Sequence, residues 1–143
     1  GVEHRIEFVR EKDGVRYYND SIASSPTRTT AGLESFQEKL ILIAGGYDKH
    51  LDYTALAGPV CAHVKTLVLT GATAPKIRAA VERAAGEKPA MIDAADFADA
   101  VRQAARAAQP GDVVILSPAS ASFDCFKNFM ERGDRFKELV WAL

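Results

Sequence analysis

Little net charge is carried by this chain. Its 18 Lys and Arg nearly balance 19 Asp and Glu, leaving −1 at pH 7. That balance argues against a broad electrostatic footprint for nucleic acid. Cysteine is scarce too: Cys61 and Cys125 lie far apart and match no metal-ligand spacing. They read as reduced thiols of a cytosolic protein, although spacing does not decide whether they pair. No apolar run approaches the ~18 residues that a membrane span needs, and no signal-peptide pattern opens the chain. The Gly-x4-Gly-Lys-[Ser/Thr] spacing of a P-loop occurs nowhere. Internal repeats, low-complexity tracts and linkers are also missing.

What remains is 143 residues of ordinary globular composition, enough for one domain with a real core. At that length about 68–70% of the unfolded chain's surface is buried on folding. The sequence starts at Gly1, and Val2-Glu3-His4-Arg5 already leads into a strand. A single domain spanning 1–143, cut from a longer protein, is expected; a processed or tagged intact protein is the alternative.

Apolar periodicity then sets the elements. Ile6 to Glu11 is strand-like, and Asp13-Gly14 predicts a hairpin because Gly tolerates the positive φ of a type I′ turn. Val15 to Asn19 returns. Ser25-Pro26 is an N-cap followed by a first-turn proline, predicting a helix to about Phe36. Leu40–Ala44, Val64–Leu69, Ala90–Ile92 and Val113–Leu116 read as buried strands. Helices are predicted over about Tyr53–Cys61, Pro75–Ala85 and Asp96–Ala108, with two closing helices over Asp124–Met130 and Asp134–Leu143. Near-continuous apolar strands alternating with helices imply a mostly parallel sheet covered on both faces. The expected fold is α/β, a Rossmann-like three-layer domain of about six strands, with the N-terminal hairpin supplying the antiparallel one.

In such sheets ligands bind outside the carboxyl ends of the strands. Three polar loops fall there. Asn19-Asp20-Ser21 through Ser24 offers a carboxylate and small hydroxyls, or simply a capped strand-to-helix turn. Gly45-Gly46-Tyr47-Asp48-Lys49 offers close backbone approach and a point charge, or a glycine turn with a solvated lysine. Ser117 to Asp124 runs from a buried strand toward a helix start, where unpaired N–H groups favour an anion; Ser122 is the expected N-cap and Asp124 complements the dipole. Cys125, just inside that start, reads as structural or incidental. His50 and His63 have no ligand-like partners. Arg132-Gly133-Asp134 reads as a helix C-cap glycine followed by the next N-cap.

Taken together, the ordered set resembles the C-terminal domain of the Mur ligase family, over essentially the whole chain. The residues are Glu3-His4-Arg5, Tyr18-Asn19-Asp20-Ser21, Gly45-Gly46 with Lys49, and Ser117-Pro118-Ala119 through Ser122-Phe123-Asp124. Phe126-Lys127-Asn128-Phe129, Arg132-Gly133 and Phe136 extend it. Serines in the Asp20 loop, where related ligases often carry histidine, favour the D-glutamate-adding branch. The resemblance implies an ATP-dependent ligase that adds D-glutamate to UDP-N-acetylmuramoyl-L-alanine through an acyl phosphate, in peptidoglycan precursor synthesis. ATP and Mg2+ would be held mainly by a central domain absent from this sequence, so the chain alone is expected to be inactive, with no catalytic residue and no metal site of its own. Ser24, Lys49, Ser122, Phe123 and Phe129 match amino-acid contacts; His4, Arg5 and Asp20 match positions lining the nucleotide across a domain interface. A cytoplasmic monomer without nucleic-acid or membrane partners is implied. Ile22 departs from the family's usual lysine, and Arg28 is a candidate replacement for its charge. A folylpolyglutamate-type ligase and a non-catalytic α/β nucleotide-binding module are the alternatives.

Overall fold

A computed structural model describes residues 2–123 and 125–143. Six strands form one sheet: β1 (Glu7–Lys12), β2 (Val15–Asn19), β3 (Leu40–Ala44), β4 (Val64–Leu69), β5 (Ala90–Asp93) and β6 (Val113–Leu116). Their spatial order is β1-β2-β6-β3-β4-β5. Among these strands the β1–β2 hairpin is antiparallel and the other four pairings are parallel. The mixed sheet of the sequence reading is thus observed.

The helices are α1 (Pro26–Glu34), α2 (Thr54–His63), α3 (Ala74–Arg83), α4 (Phe97–Ala107) and α5 (Phe129–Trp141). Strand alternation divides the core. Leu40 and Leu42 face α1–α3 with Leu33, Leu56 and Ile77, whereas Ile41 and Ile43 face α4 and α5 with Val101, Phe136 and Val140. All of these side chains are at most 1% exposed. Burying each contributes roughly 1.5–3 kcal/mol, which is why the strands read as continuous apolar runs.

The C-terminus departs from expectation. One helix, not two, closes the described chain. It begins at Phe129, where the Asn128 side chain accepts the Glu131 N–H at 2.9 Å. Ser122 is therefore not its N-cap. The Ser122 carbonyl instead accepts the N–H groups of Cys125 (3.3 Å) and Phe126 (2.9 Å), closing a turn. The dipole role expected of Asp124 falls outside the described residues. Gly133 is not a C-cap either: it sits inside α5, buried, because helix and N-terminal segment approach too closely there for a side chain. A Cβ on Gly133 would meet His4 Nδ1, with His4 Cε1 at 2.7 Å and Asn19 Nδ2 at 2.9 Å.

Candidate functional site

Strands β2, β6 and β3 are neighbours, so their carboxyl ends bring the three polar loops together. The chain leaves β3 for α2 on one face and leaves β6 for α5 on the other, which makes this the switch point of the sheet.

The loops are bonded to one another rather than left open. Asp20 is 3% exposed; its carboxylate accepts the Ile6 N–H at 3.1 Å and the Ser117 hydroxyl at 2.8 Å. Gly32 lacks the Cβ that would stand 2.7 Å from Asp20 Oδ2. The Ser120 hydroxyl lies 2.9 Å from Tyr53 Oη and 2.8 Å from Thr73 Oγ1. Gly45 donates to the Pro118 carbonyl at 2.9 Å, and Tyr47 donates to the Ala121 carbonyl at 2.9 Å. A Cβ on Gly46 would stand 2.6 Å from that same Ala121 oxygen. The small residues and paired glycines thus permit close approach of protein backbone, where a ligand was expected from sequence.

At the centre is Arg132 of α5, 2% exposed. Its Nη1 donates to the Ser120 carbonyl and its Nη2 to the Ser21 carbonyl, each at 2.8 Å; its Nε donates to Ser21 Oγ at 3.0 Å. Ser24 Oγ lies 3.5 Å from Nη2. The planar fork of a guanidinium suits several acceptors in fixed directions, a task a lysine cannot repeat. Ser21 Oγ continues the chain by donating to the Phe129 carbonyl at 2.7 Å. In the sequence Arg132 marks a predicted helix end and extends the family resemblance; Phe136 and Val140, four and eight residues on, are the signal that it lies on a buried helix face.

Of the residues matched to amino-acid contacts, Ser24 lies at the Arg132 guanidinium, and Phe129 joins it through Ser21. Ser122 is buried beside them on a cleft of about 170 Å3 that Gly46, Phe126 and Arg132 also line. Lys49 and Phe123 form a second group, exposed, with the Lys49 ammonium 5.2 Å from the Phe123 ring centroid. The Tyr47–Ala121 bridge ties that group to the 117–122 loop.

The nucleotide set divides. Arg5 and Asp20 line one cavity, together with Ile22 and Arg28, so Arg28, the candidate substitute for the family's usual lysine, lines the same cavity as Ile22, which stands in that lysine's position. His4 turns away from that cavity. It is 4% exposed and packs edge-on to Phe129 at 5.9 Å between ring centroids. Asn19 gives its amide oxygen to Ser21 N–H and its amide hydrogens to Glu7 Oε1 and His4 Nδ1, each at 2.9 Å for the latter two. His4 Nδ1 is thereby assigned as an acceptor, which puts the ring proton on Nε2. Glu3, His4 and Asp134 lie close enough to suggest a cation site. The Lys137 ammonium already bridges Glu3 at 2.8 Å and Asp134 at 3.7 Å, so the cluster is an ion-pair network and does not fit a metal ion.

Burial, the largest influence on Asp20, pushes its carboxyl above the ordinary range, against hydrogen bonds from Ser117 and Ile6 and the charges of Arg5 and Arg28. The folded chain then holds this proton more tightly than the unfolded chain does. Its contribution to stability falls as pH rises from the ordinary Asp value of 3.8 through the raised folded one. Asp20→Asn keeps the shape and removes the charge. In urea unfolding across that window, the wild-type stability minus that of Asp20→Asn is expected to decline with rising pH. A difference that is flat or rises would contradict this.

Comparison with known proteins decides the family. The description "Mur ligase, glutamate ligase domain" matches residues 4–120. The chain belongs to the Mur ligase family. This Mur ligase domain is 61% identical, over 98% of its length, to the UDP-N-acetylmuramoylalanine–D-glutamate ligase of Acetivibrio thermocellus, of which it covers 31%. Against the ligase of the same name from Clostridium beijerinckii it is 53% identical, covering 100% of this chain and 32% of the other. It thus spans about a third of the length of these relatives. Among solved structures, Escherichia coli FolC in complex with ADP superposes with a TM-score of 0.65 at 16% identity, covering 99% of this chain and 32% of that one. A ligase domain from Haemophilus ducreyi superposes at 0.64 with 16% identity, covering 97% of this chain and 96% of that one. Those likenesses establish the fold, the same α/β architecture. No helix among the described residues is long and apolar enough to cross a membrane.

Proposed function

We propose that this chain is the C-terminal, amino-acid-presenting domain of a three-domain ATP-dependent ligase that joins D-glutamate to UDP-N-acetylmuramoyl-L-alanine. The observation that carries the reading is 61% identity across 98% of the chain to a ligase named for that substrate pair. The geometry is compatible with it: Lys49 is an exposed cation against the Phe123 ring, one residue from Ser122, and the polar groups around Ser24 and Ser122 are suited to carboxylates. ATP with Mg2+, when bound, supplies the phosphoryl group that makes the muramoyl-alanine carboxylate a good electrophile.

The residues of this chain position the other partner. Lys49 and Ser122 hold the D-glutamate carboxylates, while Phe123 and Phe129 shape the pocket around its carbon chain. The amine is left free to attack the activated carbonyl carbon; the new C–N bond forms as phosphate departs and the nitrogen loses a proton. Holding the amine close in this way turns a bimolecular encounter into a local one, the main contribution a domain without its own acid or base can make. Arg5 and Arg28 present cations to the nucleotide phosphates, with Asp20 behind them. His4 acts on that interface by fixing the N-terminal segment on α5. On this reading the protein works as a cytoplasmic monomer, with no nucleic acid or membrane involved.

The test separates domain from enzyme. The 143-residue chain incubated with ATP, D-glutamate and UDP-N-acetylmuramoyl-L-alanine is expected to yield neither amide product nor ADP, whereas the full-length ligase containing it yields both with D-glutamate and far less with L-glutamate. Product formed by the chain alone, or a preference of the full-length enzyme for L-glutamate, would count against the proposal.

A further inference from the structure

We propose that Tyr47 is a positioning residue: its ring holds Phe123, and Phe123 holds the Lys49 ammonium ready at the mouth of the amino-acid site. The geometry stands by itself; what Lys49 is held for rests on the ligase reading above.

Three exposed side chains meet here. Tyr47 and Phe123 are 40% and 58% exposed, unusual for large rings with no place in the core. Their centroids are 5.9 Å apart at 66°, an edge-to-face pair. The Lys49 ammonium stands 5.2 Å from the Phe123 centroid, within cation–π reach. The backbone sets the pair: Tyr47 N–H donates to the Ala121 carbonyl, bridging the loop after β3 to the loop after β6. Asp48, between Tyr47 and Lys49, is drawn elsewhere, to Lys76 on α3 at 2.6 Å and to the His50 N–H at 2.7 Å.

The charge of Lys49 is left available. Lys12, Lys65, Lys76 and Lys137 each pair with a carboxylate, but Lys49 forms no ion pair among the described residues. An ammonium resting on a ring keeps its charge for an incoming carboxylate, whereas one paired with Asp or Glu would have to be released first. A lysine without such a rest must be ordered at binding, and the entropy of its long stem then weakens affinity. The Tyr47 hydroxyl makes no hydrogen bond among the described residues, so the ring alone carries this role.

The expected kinetics follow in the full-length ligase. Tyr47→Ala raises the D-glutamate KM about fivefold, the scale of one surface cation–π contact, and leaves kcat and the ATP KM within about twofold. Tyr47→Phe matches wild type, and Lys49→Ala raises the D-glutamate KM at least as much as Tyr47→Ala. In the 143-residue chain itself, the Lys49 Hε protons show an upfield ring-current shift by NMR that Tyr47→Ala removes and Tyr47→Phe keeps. Tyr47→Ala at wild-type KM beside an impaired Lys49→Ala overturns this inference and leaves the ligase reading intact. Lys49→Ala at wild-type KM overturns the ligase reading of the site, and the inference with it, whatever the NMR shows. A Tyr47→Phe as defective as Tyr47→Ala, or Hε protons without the shift, also overturns it.

Discussion

Gly133→Ala is expected to destabilise this domain by about 3 kcal/mol, the upper range for overpacking a well-filled site. The sign is the informative part. In the interior of an exposed helix the same change stabilises by about 1 kcal/mol, because alanine is the better helix former. Here the added methyl would meet His4 Nδ1 and stand 2.7 Å from His4 Cε1. His4 cannot step aside cheaply. Its ring accepts from Asn19, packs on Phe129, and follows from a backbone at φ 66°, where a residue with a Cβ is already confined. Expelling the ring would leave the Asn19 amide without one partner in a buried place, which itself costs about 1–3 kcal/mol. Urea unfolding checks this: the midpoint falls at unchanged slope. A raised midpoint would mean that α5 and the N-terminal segment do not pack as described.

Arg132→Ala is expected to be as costly, about 3 kcal/mol, the range seen when one partner of a buried charged hydrogen-bond network is removed. The Ser21 and Ser120 carbonyls lose their donors together. Arg132→Lys should recover only part of the loss, since one ammonium cannot reach Ser120, both Ser21 acceptors and Ser24 from a single position. In the full-length ligase, at a temperature well below unfolding, either variant should raise the D-glutamate KM more than the ATP KM, because Arg132 reaches Ser24 and the 117–122 loop, positions matched to the amino acid, whereas Asp20, matched to the nucleotide, is held by Ile6 and Ser117. A fully stable Arg132→Ala, or an equal effect on both substrates, would remove Arg132 from the account.

These two residues also mark where the sequence was legible and where it was not. The strands Val15–Asn19, Leu40–Ala44, Val64–Leu69 and Val113–Leu116 were readable to the residue: Leu40–Ala44 and Val113–Leu116 are unbroken buried apolar runs, Val15–Asn19 alternates in burial after the Asp13-Gly14 turn, and Val64–Leu69 ends in buried Leu67-Val68-Leu69 before Thr70-Gly71. The same logic failed at the C-terminus. Gly133 looked like a helix stop because glycine usually marks one, and only the approach of His4, 129 residues earlier in the chain, explains a glycine inside α5. The serines of the 117–122 loop looked ready for a ligand. Ser117 and Ser120 instead face Asp20, Tyr53 and Thr73, partners contributed by three other segments. Long-range partners leave no local trace: the resemblance pointed to these loops, and the hydrogen bonds show which of their side chains are already engaged within the fold.

A crystal structure of the full-length ligase with D-glutamate bound tests the central claim most directly. The account predicts one carboxylate of the amino acid within hydrogen-bond distance of Lys49 Nζ and the other at Ser122, with the Arg132 guanidinium still joining Ser21 to Ser120. D-glutamate bound away from the Ser122 loop, with Lys49 still resting on Phe123, would contradict it.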